Sequence, residues 1–239
     1  MIADPTKIEP FAGFGEPLSS VTHLAAAAAF AWLAVKLIRR GAGHAGRVFA
    51  LTIYSVAVVF QLIVSGVYHL LPPSSVANGV LLRIDHAAIF FLIAATFTPV
   101  HGILFRGAWR WGFLTFIWIA AISGIVLKTI FSAQTPLWFG ASLYVGLGWV
   151  GLLSGILAWR RFGFRSMAPM LYGGLAYTGG LLLEWAMAGA DVLQIIPGVL
   201  GGHELFHLAV IAGIAIHWRM IYGFADGSPS ASADEPPAE

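Results

Sequence analysis

His203 and His207 stand four residues apart, with Glu204 between them, in the run G-G-H-E-L-F-H-L-A-V. Residues four apart share one face of a helix. Two imidazoles on one face can grip a single metal ion, and catalytic zinc takes three protein ligands and keeps a fourth position for water. The third ligand must come from another helix. His69 is the best candidate, because it closes an apolar stretch at matching depth, in S-G-V-Y-H, with Ser65 one turn earlier on the same face. Asp85, in R-I-D-H-A-A, suits a different role. A carboxylate near the ion could bind it, orient its water or accept a proton. Three neutral imidazoles around Zn²⁺ leave its double charge in a low-dielectric site, and one or two nearby carboxylates would offset it. Imidazole also suits iron, copper or nickel.

The same five residues, H-E-L-F-H, satisfy H-E-x-x-H, in which two histidines bind zinc and the glutamate is the general base. On that reading Glu204 is catalytic and the chain is an intramembrane metalloprotease. Proteases of that kind take a third, acidic ligand from a distant Pro-rich L-D-G-type segment, and nothing here resembles one.

The elements that must carry these residues are apolar. The chain has 239 residues, 59% of them hydrophobic and 10% charged. Spans of about 20 mostly apolar residues cross a bilayer as helices. Seven such stretches are predicted: Leu18–Ile38, Val48–Leu71, Ile84–Leu104, Trp111–Phe131, Leu137–Trp159, Ala168–Met187 and Val199–Tyr222. Their continuity excludes barrel strands, so the expected fold is an all-α membrane protein, one seven-transmembrane-helix bundle. A leader over residues 1–17 and a Pro/Ser-rich, disordered tail over 223–239 would flank a transmembrane domain of residues 18–222. No cleavable signal peptide is evident. With no cysteine, disulfides and thiolate metal sites are excluded. The partner this composition demands is the lipid bilayer, not nucleic acid.

Charge sets an expected orientation. Ten of the thirteen Lys and Arg residues (Lys36, Arg39, Arg40, Arg47, Arg106, Arg110, Arg160, Arg161, Arg165 and Arg219) fall on one side. Lys7, Arg83 and Lys128 fall on the other. The positive-inside rule then places the C-terminus in the cytoplasm and the N-terminus outside. Ionisable groups within the spans gather at the N-terminal side: His23, His69, Asp85, His86, Glu184, His203, Glu204 and His207. Such groups are costly in lipid and mark function. His23 and His86 are read as hydrogen-bonded core residues, since intramembrane polar groups also join helices. Glu184 is open between supporting the site and facing an aqueous opening. His44, His101 and His217 lie among the arginines and are read as interfacial residues.

Together S-G-V-Y-H, R-I-D-H-A-A-I-F-F-L-I-A-A-T-F-T-P-V and G-G-H-E-L-F-H-L-A-V resemble the three signatures of the haemolysin III family, within the progestin and adiponectin receptor group. E-P-L-S-S-V-T-H at Glu16–His23 and Y-G-G-L-A-Y-T-G-G at Tyr172–Gly180 resemble the family's opening and sixth-helix motifs. The resemblance runs from Glu16 to Tyr222. It implies that His69, His203 and His207 bind Zn²⁺, that Asp85 holds the zinc-bound water, and that Ser65 supports them. Two residues depart from the pattern: Ser19 stands where the family commonly has Asn, and Glu184 where an aromatic residue is expected. The eukaryotic receptors also place their zinc at the cytoplasmic end, whereas the charges here put the equivalent end outside.

The expected activity is hydrolysis. Zinc lowers the pKa of bound water to around 7, Asp85 orients that water or takes its proton, and hydroxide attacks a polarised carbonyl. A site within the membrane favours a lipid amide or ester, and related receptors and alkaline ceramidases are precedents for ceramide-type amides. The expected location is the bacterial inner membrane, with the zinc toward the outer side. The alternatives are a non-enzymatic receptor or haemolysin-type protein with structural zinc, and the H-E-x-x-H protease.

Overall fold

Backbone amides in hydrocarbon find no water, so each apolar stretch must close its hydrogen bonds within itself. In a computed structural model the described residues are 15–72, 75–131, 134, 136–188, 195–196 and 199–228. Among them the chain forms α1 (Pro17–Arg40), α2 (Ala45–Leu70), α3 (Val76–Leu104), α4 (Ala108–Ile130), α5 (Leu137–Phe162), α6 (Phe164–Ala188) and α7 (Gly202–Phe224). All but α6 are long and apolar enough to cross a membrane. α6, which holds Arg165, Glu184 and a set of glycines, falls short of that apolarity. Most of the expected leader and tail lie outside the described residues.

Two helix starts differ from the apolar boundaries. α3 begins at Val76, eight residues before Ile84, because Ser75 accepts a hydrogen bond from the Asn78 amide and the Asn78 side chain donates to the Tyr68 carbonyl at 3.2 Å. Asp85 and His86 therefore sit in the third turn of α3 rather than at its opening. α7 begins at Gly202, not Val199, because the Glu204 carboxylate reaches back to accept from the Gly201 amide at 2.9 Å, the half of a capping box that a glycine N-cap allows.

The helices follow one another around the bundle. α1 packs on α2 and α7, α2 on α3, α3 on α4, α5 on α6, and α6 on α7. α3 also reaches α5 and α7 and is the most buried span. Its apolar residues run all round the helix, as a central helix requires. Outward-facing Trp32, Phe49, Phe60, Trp111 and Ile119 are exposed, giving the bundle an apolar exterior suited to lipid.

Small residues set the closest approaches. A Cβ on Gly66 of α2 would lie 2.7 Å from Leu24 of α1, where Ser20 also donates to the Gly66 carbonyl at 2.8 Å. Between α6 and α7, Gly180 faces Ala209, and Gly173 leaves room for the ring of His217. Without side chains in the way, helix backbones pack by direct contact. Gly163, at φ 81°, makes the one-residue turn from α5 to α6.

Candidate metal centre

The last turn of α2 leaves carbonyls without intrahelical partners. The chain entering α1 supplies them: the Glu16 amide donates to the His69 carbonyl at 2.9 Å and the Gly15 amide to Leu70 at 3.3 Å. This strap ties the end of α2 to the start of α1. At the same depth the first turn of α7 approaches α6 closely, since a Cβ on Gly202 would come within 3.1 Å of the Glu184 backbone.

These contacts bring His69, His203 and His207 together. One ring nitrogen from each lies within 4.8 Å of the other two, in a group that could hold a metal ion. His203 and His207 face each other through Nε2 atoms 3.0 Å apart. The ring of His69 lies 4.4 Å from that of His207 and 5.0 Å from that of His203, centroid to centroid. His69 and His207 are buried, and His203 is half-buried toward the mouth. Nitrogens bound tetrahedrally to one zinc stand about 3.3 Å apart. Bare imidazole nitrogens at these separations, drawn from two helices, fit such an ion with sub-ångström to ångström-scale adjustment.

Each imidazole has a second partner. The Nδ1 of His203 meets Glu184 Oε1 at 2.7 Å. The Nδ1 of His207 meets the His23 ring at 2.9 Å. The Nδ1 of His69 meets Glu16 Oε2 at 2.7 Å, and the same oxygen lies 3.4 Å from His203 Nε2. For Glu16, at the mouth of the bundle, burial acts to raise the carboxyl pKa, but the close imidazoles of His69 and His203 outweigh it and hold it below its ordinary value. A ligating histidine needs its other nitrogen fixed, which sets its tautomer and ring orientation. Glu184→Gln should therefore weaken metal binding about 10–100-fold, in chelator competition, with the metal-free protein unfolding at an unchanged temperature.

Asp85 lies behind this group rather than in it. Its carboxylate is buried, accepts from Gln61 Nε2 at 3.0 Å, and is faced by Ser65. Gln61 was missed from the sequence, yet its signal was there: Gln61, Ser65 and His69 recur at four-residue intervals and form one polar stripe on α2. Glu16 and Glu184 carry no such spacing. His23, read as a hydrogen-bonded core residue, is one, and its bond goes to His207. His86, read in the same way, is instead half-buried and has no hydrogen bond among the described residues; its ring lies 6.4 Å from that of Tyr144, centroid to centroid. Glu204 is 1% exposed and directed at its own helix start and at Ser19 Oγ, 3.4 Å away.

The interfacial reading of two histidines at the opposite end is corrected. His101 is fully buried, stacked at 3.8 Å on Phe113, and bonded at 2.6 Å to both the Trp109 carbonyl and Ser154 Oγ. His217 is buried against α6, bonded to the Met170 carbonyl at 3.2 Å. His101 ties α3 to both α4 and α5, and His217 ties α7 to α6, so each polar ring found a partner inside the bundle instead of reaching the interface.

Comparison with known proteins adds to this geometry. A family described as haemolysin-III related matches residues 11–218. The chain is 29% identical to Hemolysin-3 of Bacillus cereus over 175 residues, covering 73% of this chain and 74% of that one. It is 26% identical to a Hemolysin-3 homolog of Bacillus subtilis over 173 residues, covering 72% and 76%. It is 28% identical to Heptahelical transmembrane protein 4 of Arabidopsis thaliana over 178 residues, covering 67% of this chain and 45% of the plant protein.

Proposed function

The chain belongs to the haemolysin-III-related family, and from that premise we propose that it is a metal-dependent hydrolase of a lipid amide or ester, acting within the bilayer. The observation that carries this reading is the meeting of His69, His203 and His207 beside a buried carboxyl group, Asp85, that is not part of their group. The three histidines would hold the ion, and Zn²⁺ is the ion their number and type favour. When bound, it would supply Lewis acidity, lowering the pKa of water to about 7 and polarising a carbonyl.

This chain's residues do the rest. Gln61 and Ser65 aim the Asp85 carboxylate from the adjacent helix. Asp85 takes a proton from the attacking water and returns it to the leaving amine or alcohol as the acyl C–N or C–O bond breaks. Glu184 and His23 hold the α7 imidazoles in the orientation that points their Nε2 atoms inward. The apolar wall excludes bulk water, so charge developed at the carbonyl is stabilised in a medium of low dielectric.

One observation favours a second reading, a non-enzymatic receptor or haemolysin-type protein with structural metal. The Glu16 carboxylate stands against two of the imidazoles, and a fourth protein group closes a zinc site. Incubating metal-loaded protein with a panel of lipid amides and esters decides between them. Released fatty acid supports the hydrolase, while stoichiometric metal with no release from any member supports the structural site. From the arginine bias we infer an orientation with the C-terminus in the cytoplasm and the metal centre toward the outer side, in a bacterial inner membrane. Because the chain has no cysteine, a single Ser228→Cys variant tests this. A membrane-impermeant thiol reagent should label it in inverted vesicles and not in intact cells, and the reverse result reverses the orientation.

A further inference from the structure

Lys128 lies two residues before the end of α4, and α4 ends at the face of the bundle that carries the imidazoles. A lysine so placed ordinarily threads its stem outward and leaves its ammonium in water. This one does not, because only 2% of it is exposed. Its Nζ lies against the backbone of α5, where a Cβ on Gly140 would come within 2.8 Å. Among the described residues it has neither an ion pair nor a hydrogen bond. The titratable group facing it is His86 of α3.

Tyr144 of α5 flanks the same place. Its ring lies 4.7 Å from Phe90 and 6.4 Å from His86. Its hydroxyl is shielded from solvent with no hydrogen-bond partner among the described residues, and it is close enough to Asp85 to sense that charge. Gly140 and Tyr144 are four residues apart on α5, so two donors, an ammonium and a phenol, stand along one face of that helix without an acceptor among the described residues, the phenol within reach of the Asp85 charge. Buried donors are kept only where something meets them. An anionic group with several oxygens would meet both. Among the described residues α5 packs only sparingly on α3 and α4, and its outer face is apolar, so the donors lie where a lipid can approach from the bilayer.

We propose that Lys128 and Tyr144 hold the anionic phosphate or carboxylate group of a lipid, in a subsite beside Asp85. As a statement about substrate this rests on the hydrolase reading, but the binding itself needs no metal. Gly140 belongs to the subsite because it seats the ammonium against α5.

The test uses the full chain in detergent, with lipid binding followed by native mass spectrometry. The probes are dioleoyl phosphatidic acid, oleate, dioleoyl phosphatidylcholine and inorganic phosphate. Phosphatidic acid and oleate should bind about tenfold more tightly than phosphatidylcholine, the difference expected of one charge-assisted contact. Inorganic phosphate should not displace them. The preference should collapse in Lys128→Gln, weaken in Tyr144→Phe, and survive chelator treatment of the wild type. Equal binding of anionic and zwitterionic lipids, or an unchanged preference in Lys128→Gln, overturns the proposal. So does displacement by inorganic phosphate, which assigns the subsite to a soluble anion. A preference that vanishes on chelation belongs to the metal and overturns it as well. If Lys128→Gln does not fold, Tyr144→Phe decides, and an unaltered preference there is fatal. Metal content, measured separately on the wild type, shows whether the hydrolase reading fails on its own account.

Discussion

His207→Ala protein, purified beside the wild type, should lose its metal: about one equivalent of zinc in the wild type and almost none in the variant. His207 is buried, faces His203 Nε2 at 3.0 Å, and has its remaining nitrogen fixed by His23. It is the hinge of the group, since His69 and His203 both meet its ring edge-to-face, with centroids 4.4 and 4.5 Å away. Removing an outer partner of a metal ligand costs about 10–100-fold in affinity, so removing the ligand itself should cost more than about 100-fold. Elemental analysis of the two proteins is the measurement. His101→Ala is the control, because His101 is buried at the other end of the bundle and should leave metal content unchanged. Full zinc occupancy in His207→Ala would remove the proposed ligand set.

Asp85→Asn should separate binding from chemistry. The replacement keeps the shape and a hydrogen-bonding side chain toward Gln61, but it cannot accept a proton at neutral pH. Asp85 stands outside the group of three imidazoles, so zinc affinity should fall by no more than the about 10–100-fold that an outer group costs, and protein loaded with excess zinc should keep its metal. Loss of a positioned general base costs about 10²–10⁴-fold in rate. The expected result is zinc-loaded protein that releases fatty acid at least about a hundredfold more slowly. Ser65→Ala, which removes only a supporting hydroxyl, should cost less. An Asp85→Asn protein with undiminished hydrolysis would assign the proton to another group, and Glu16 at the mouth is the carboxylate that would then be tested.

Much of the architecture was legible because lipid permits few solutions. An apolar stretch long enough to cross hydrocarbon must be a helix, so α1, α2, α4 and α5 could be placed from apolarity alone. The starts of α3 and α7 could not. They are set by side-chain caps at Ser75 and Glu204, polar residues that an apolar window passes over. His69, His203 and His207 were legible for a related reason. Imidazoles are expensive in a membrane, and a four-residue interval fixes them to one face. His101 and His217 show the limit of that argument. Their position near arginines suggested the interface, but the stacking of Phe113 and the open backbone at Gly173 gave them buried partners.

The sequence alone determined the elements, the end of the bundle at which the ionisable groups collect, and the identity of the three imidazoles, because hydrophobic length and helical period are local properties. Only the tertiary structure decided which groups support them. Glu16 reaches His69 because an amide strap joins α1 to the end of α2, and Glu184 reaches His203 because Gly202 lets α6 and α7 close. Those contacts span gaps along the chain that no period encodes; they exist because helices packed through small residues bring side chains from distant segments to the same depth.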